Sequence, residues 1–230
     1  MNVLVACEYS GIVRDAFEDA GWNAWSCDLL PTESEQTKVS RKHYQGDVFH
    51  FLTKFILPDE LQLSDDFPLS LDLMIGHPPC TYLSYAYTGK ERYSIERMQK
   101  KIEAYQFFLD LWSAPIEHIC LENPMSYIHS GLIPCTQIIE PYYFGDPYKK
   151  KTCLWLKNLP KLTYSEDTLF EKGTKVVPTH QFLDNNLKSQ RKKLPILLPL
   201  YSDGHARSKF HKGIAKAMAE QWTEYLHKNL

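Results

Sequence analysis

The chain has little glycine, ten in 230 residues, and none of it forms a G-x-G-x-x-G run. A phosphate loop built on three glycines is therefore excluded. No apolar run reaches the ~18 residues of a membrane-spanning helix. The first residues, Met1-Asn2-Val3-Leu4-Val5, lack the basic region and small-residue cleavage site of a secretory leader. The expectation is a soluble intracellular protein, in the cytoplasm or nucleoid, with no membrane partner. The six cysteines, Cys7, Cys27, Cys80, Cys120, Cys135 and Cys153, are evenly spread and form no C-x-x-C pair. That excludes a zinc-ribbon pattern and a disulfide frame, and predicts reduced thiols and no metal. Most should be small core residues, with Cys80 the candidate exception.

What is present is ordinary globular composition, 43% hydrophobic and 23% charged, in a chain long enough to bury a core without staples. The formal charge of −2 hides an asymmetry. Residues 1–148 carry 10 basic and 21 acidic side chains, residues 149–212 carry 14 and 5, and residues 213–230 carry 2 and 2. A cationic stretch of this kind is either a polyanion-binding surface or a solvated lysine-rich loop.

Hydrophobic periodicity predicts strands over residues 2–7, 22–28, 71–76, 116–121, 138–144 and 152–156, with a weaker element ending at Gly46-Asp47-Val48. Between them lie a helix stopped by Gly21, a long helix over residues 94–112, and a closing helix over residues 213–230. In the long helix Ile95, Met98, Ile102, Tyr105, Phe108, Leu109 and Trp112 are expected to face inward. This alternation predicts an α/β fold with a doubly wound, mostly parallel sheet and a small irregular basic appendage. Residues 1–156 would form the core, 157–212 the appendage, and 213–230 a helix returning to the core. Ligands of such sheets lie beyond the carboxyl ends of the strands. That rule nominates Glu8 to Gly11, Asp28, Asp47, His77 to Cys80, and Glu122 to Pro124.

Each group has its own chemistry. Gly11 permits a tight turn before a helix whose amino end offers N–H groups to an anion. Asp28 can accept from ribose hydroxyls and Asp47 from an adenine amino group, although each is also a common cap or turn residue. His77-Pro78-Pro79-Cys80 holds a thiol at a strand mouth, and a nucleophilic thiol needs a depressed pKa. Glu122 ends the next strand, so a thiol and a carboxyl would meet as nucleophile and general acid.

These segments resemble the DNA cytosine-5 methyltransferase family, in a compact form like those of bacteriophages. Ser10-Gly11-Ile12-Val13-Arg14-Asp15-Ala16-Phe17-Glu18 is similar to its first motif, Gly46-Asp47-Val48 to its adenine motif, and Pro79-Cys80 to its nucleophile motif. Glu122-Asn123-Pro124, the run from Phe144 to Trp155, and the run from His211 to Ala219 resemble later motifs in the same order. The resemblance implies a Rossmann-like S-adenosylmethionine-dependent methyltransferase fold. It also implies base flipping and a covalent adduct between Cys80 and cytosine C6. It implies Cys80, Glu122, Asn123, Pro79, Lys149 and Lys151 as catalytic. Glu8, Tyr9, Ser10, Gly11, Asp28, Leu29, Asp47, Val48, His77 and Pro78 would hold the cofactor. Tyr82, Ser84, Lys150, Arg191, Lys192, Lys193, Arg207 and Lys209 would meet DNA. Tyr85, Tyr87 and Gly89 would belong to the segment closing over it.

The chain departs from the family in Glu8-Tyr9, where a small glycine-containing pair is usual, and in Lys149-Lys150-Lys151, where glutamine and arginines are usual. Which lysine faces the base stays open. The short appendage predicts a short or loose DNA target. A catalytically silent DNA- or partner-binding protein, or C5 modification of a nucleotide or RNA, stays open as an alternative.

Overall fold

The computed structural model of the chain describes residues 1–56, 70–84, 94–146, 148–164, 180–181 and 209–229. The doubly wound sheet expected from the alternation is present. Five parallel strands, β1 (Asn2–Ala6), β2 (Asn23–Asp28), β3 (His43–Gln45), β4 (Leu73–Gly76) and β5 (His118–Pro124), are followed by β6 (Gln137–Ile139) and β8 (Thr152–Lys157). Their order is β3-β2-β1-β4-β5-β8-β6. β8 runs antiparallel to both its neighbours, so the sheet is mixed at one side. A separate pair, β7 (Tyr148–Lys149) and β9 (His180–Gln181), is parallel.

Strand parity sorts residues between two cores, because side chains alternate across the sheet. Val3 and Val5 enter the first core, which α1 (Ile12–Asp19) and α6 (Lys212–Asn229) cover with Phe17, Met218 and Trp222. Leu4 and Ala6 enter the second, with Phe51 of α3 (Val48–Ile56), Phe108 and Leu111 of α4 (Ile95–Trp112), and Trp155. Truncating a buried ring such as Phe17 or Trp222 to alanine removes about 3–5 kcal/mol. Among the described residues no helix is long and apolar enough to cross a membrane.

Two local expectations change. The strand expected over residues 138–144 stops at Ile139, because Pro141 opens a 3-10 turn, Pro141–Phe144. In α4 only the carboxyl half packs as the periodicity suggests: Phe108 is fully buried, but Ile95 is 87% exposed, with Met98 and Ile102 also exposed. The apolar stripe of the amino half is left exposed, while Arg97 and Lys101 of the same half contact Tyr82 and Tyr127. Arg14 of α1 is fully buried. It is satisfied by Asp15, Glu18, Ser40 and the Ala24 carbonyl, and so ties α1 to β2 and to α2 (Glu35–Ser40).

The order reverses between β1 and β4, which opens a crevice at the carboxyl ends of these strands. The polar strand-end residues gather around it.

Candidate active site

The crevice has two sides. On the β1–β2–β3 side, Glu8 follows Cys7, whose φ of 59° turns the chain sharply. The Glu8 carboxylate is buried and accepts from Val13 N at 2.7 Å, Arg14 N at 3.1 Å and Ser10 Oγ at 3.2 Å. The amino end of α1 is therefore already filled by the chain's own anion, and not open to a ligand as its position suggested. Burial raises the Glu8 pKa, against the opposing pull of His77, the two amides and Ser10. Gly11 has φ of 74°, and a Cβ there would lie 2.4 Å from the Ser34 Cβ, so glycine is required by both conformation and space.

Asp28 and Asp47 act as turn and cap. Asp28 Oδ1 accepts from Leu30 N at 2.9 Å, and Asp47 Oδ1 accepts from Phe49 N at 2.7 Å and His50 N at 3.2 Å. Both lie near the Cys7 thiol, whose pKa is pushed far up by burial and then by the two carboxylates. The three strand ends therefore converge. Beside them is a cavity of about 350 Å³ lined by Tyr9, Leu30, Pro31, Thr32, Glu33 and Lys38. Leu29 is 73% exposed at its margin. A nucleoside fits the convergent carboxylates and the exposed leucine, whereas the helix end that would take an acidic group is occupied by Glu8. Two other expected cofactor contacts are buried: Val48 in the second core, and Pro78 in the turn before Cys80.

On the β4–β5–β8 side the groups are tied across strands. Gly76 and Leu121 are partners in register, so the next residues, His77 and Glu122, emerge side by side. His77 Nδ1 lies 3.1 Å from Glu122 Oε2, which places His77 on the Glu122 carboxylate and not only toward a cofactor. Asn123 Nδ2 donates to the Pro78 carbonyl at 2.8 Å and pins the Pro78-Pro79 turn. Cys80 is half-buried at the end of that turn, and its carbonyl accepts from Leu83 N at 3.0 Å and Ser84 N at 2.8 Å. Ser84 also bridges Ser126, so the segment after the thiol is fixed to the segment after β5.

Electrostatics connects this cluster. Burial pushes the Glu122 pKa up, but the His77 hydrogen bond and then the Lys150 charge outweigh it, leaving the carboxyl below its usual range. Burial raises the Cys80 thiol, the Glu122 charge raises it further, and Lys150 works against both. The depressed thiol pKa expected from the nucleophile reading is thus not present. His211 is buried just before α6, and burial, followed by Lys150, lowers it to about 4. Phe210 packs on His77 with ring centroids 4.8 Å apart.

The lysines differ in what is described of them. Lys150, expected at DNA, acts on Cys80, Glu122 and His211. Lys151, expected in the catalytic set, is exposed. Only the backbone of Lys149 is described, within β7. The sequence reading also missed His211 and Phe210 as site residues. Their one signal was proximity to the closing motif, which His211 opens.

Of the expected DNA contacts, Tyr82 packs under Arg97, whose guanidinium carbon is 5.1 Å from the ring centre. Lys209 bonds Glu33 at 2.6 Å, so its charge straps the α6 approach to the cavity margin and is not left open to a phosphate. Tyr85, Tyr87, Gly89, Arg191, Lys192, Lys193 and Arg207 lie outside the described residues.

No family model matches the chain, and no curated protein matches it. Among solved structures it is similar to one described as a DNA modification methyltransferase encoded within an E. coli prophage. That likeness has a TM-score of 0.41 and 19% identity, and covers 74% of this chain and 50% of that one. A second is the S. pombe Dnmt2 methyltransferase, with a TM-score of 0.44 and 17% identity, covering 75% of this chain and 55% of that one. The chain spans about half the length of each. The sheet itself is mixed, mostly parallel and seven-stranded.

Proposed function

We propose that the chain transfers a methyl group from S-adenosylmethionine to C5 of cytosine in DNA, with Cys80 as the nucleophile. The observation that carries this reading is the meeting of Cys80, Glu122 and Lys150 at adjoining strand ends, with Asn123 fixing the turn between them.

Cytosine C5 is a poor nucleophile until a thiolate adds at C6. The raised Cys80 pKa then has a use. Resting Cys80 keeps its proton because it is largely buried and because the Glu122 carboxylate stands beside it. When the N3/N4 edge of a flipped cytosine reaches Glu122, the thiol proton can pass to N3, shared with that carboxyl. This removes the repulsion as the Cys80 Sγ–C6 bond forms and its electron pair moves toward C5. Lys150 favours the thiolate at that moment. S-adenosylmethionine, when bound, supplies the electrophilic methyl group. Loss of the C5 proton to solvent and departure of the Cys80 thiolate, which recovers its proton from N3, restore the ring and the resting thiol. Asp28 and Asp47 supply the acceptors for a ribose and an adenine. The excess of cations in residues 149–212 supports phosphate contacts, which give affinity and salt dependence and not sequence choice.

The test is transfer of label from S-[methyl-³H]adenosylmethionine to cytosine-containing duplex and single-stranded DNA. Transfer by the wild type and none by Cys80→Ala is expected. A chain that binds the cofactor by calorimetry yet labels no DNA overturns the proposal.

A further inference from the structure

Evenly spaced cysteines argue against a metal site, but the fold undoes that spacing. His129 of α5 (Tyr127–Gly131), Cys135 in the following loop and Cys153 of β8 converge. Their ligand atoms all lie within 4.8 Å of one another. The local pair is organised already: Cys135 N donates to His129 Nδ1 at 3.1 Å. The Cys153 thiol is hydrogen-bonded to Cys135, and its Sγ lies 3.3 Å from the Met125 Sδ. Cys153 is fully buried and Cys135 half-buried. Two thiols, an imidazole and a thioether thus share one corner of the fold, and the catalytic reading uses none of them.

We infer that this corner is a binding site for a thiophilic d10 metal ion, Zn(II) or Cu(I), held by His129, Cys135 and Cys153 with Met125 beside them. Soft sulfur donors with one imidazole select such ions over magnesium or calcium. A tetrahedral zinc with Zn–S bonds of about 2.3 Å places its sulfurs roughly 3.8 Å apart, so the cluster needs only a small contraction. Binding Zn(II) releases the two thiol protons to solvent and leaves the imidazole neutral. The His129 Nδ1 lone pair, now held by the Cys135 amide, is the one available without a change of tautomer. Cys153 is the register partner of Asn123, and Met125 lies two residues beyond it. The ion would therefore cross-link β8 and the α5 loop directly behind the Glu122-Asn123 pair. It stands apart from the proposed chemistry and does not depend on it.

The experiment uses the full chain, purified under reductant and stripped with chelator. It is titrated with Zn(II) in one arm and anaerobic Cu(I) in the other, with a chromogenic competitor and elemental analysis. One ion per chain is expected in at least one arm, with affinity at least tenfold weaker in His129→Gln and in Cys135→Ser. Cys135 and His129 are both partly exposed, so these variants avoid the folding risk of changing buried Cys153. Bound ion should also slow alkylation of Cys135 at least tenfold while leaving that of Cys80 unchanged. Substoichiometric uptake in both arms overturns the inference. So does uptake that neither variant weakens, or Cys135 alkylation at the same rate with and without the ion. A chain that binds the ion but transfers no methyl group would count against the methyltransferase reading alone.

Discussion

The two sides of the crevice are built differently. Before the switch in strand order, the polar groups serve their own segments: Glu8 caps α1, Asp28 closes a turn and Asp47 caps α3. After the switch they reach across strands: His77 to Glu122, Asn123 to Pro78, and Lys150 onto both Cys80 and Glu122. The first arrangement shapes loops that a small molecule can settle into. The second holds side chains of different strands against one another, the fixed geometry that the proposed chemistry needs. His77 stands where they meet, hydrogen-bonded to Glu122 and electrostatically felt by Glu8.

The largest separation should appear with Cys80→Ala, which is expected to abolish methyl transfer while cofactor affinity by calorimetry stays within about twofold. Glu122→Gln should lower kcat by about 10²–10⁴-fold, the usual range for a lost acid–base group. Equal loss of cofactor affinity in either variant would mean that the two sides are one unit.

Next comes acid sensitivity of the second side. His211 falls from the usual 6.5 to about 4 in the fold, so between those pH values the unfolded chain binds more protons. Stability should therefore fall as pH drops from about 6.5 toward 4, by up to about 3 kcal/mol from this group. Urea titrations across that range should show a shallower pH slope in His211→Gln.

On the first side, Glu8→Gln keeps the shape, but its amide nitrogen cannot accept, so one of the two bonds to α1 is lost and the other loses its charge. A loss of about 1–3 kcal/mol in urea unfolding is expected. Asp47→Ala should weaken cofactor affinity about tenfold with little change in kcat, the cost of about one hydrogen bond to a charged group. The smallest effect belongs to Lys209→Ala. Its pair with Glu33 is partly exposed, so about 0–1 kcal/mol is expected, and DNA affinity should barely change. A large drop in DNA affinity would return Lys209 to the phosphate contacts.

Much of the fold and the site was legible in the sequence, because strand ends can be counted. Runs such as Val3 to Ala6 and Leu73 to Gly76 announce buried parallel strands, and the residues just after each run must sit at the crevice. What escaped depends on neighbours. Period 3.6 finds a stripe in α4 but not what lies under it, so Ile95, Met98 and Ile102 were placed inward. The start of β8 at residue 152 was read correctly, but which of the preceding lysines acts on Cys80 and Glu122 depends on the turn between β7 and β8, which pattern alone does not give. Arg14 is buried because five acceptors happen to surround it. Cys153 and Cys135 look unrelated until β6 and β8 pair.

The partnership of α1 with α6 has a consequence for how the protein is made. The face formed by Val3, Val5, Phe17 and Trp22 is covered by Ile214, Met218 and Trp222, and Trp22 Nε1 donates to Thr223 Oγ1 at 2.7 Å. During synthesis that apolar face emerges long before α6 and stays uncovered until α6 has left the ribosome. Contacts this distant in sequence slow folding and expose sticky surface to other chains. A ribosome stalled before residue 214 should hold a nascent chain that chaperones bind, and one stalled after α6 has cleared the exit tunnel should release it.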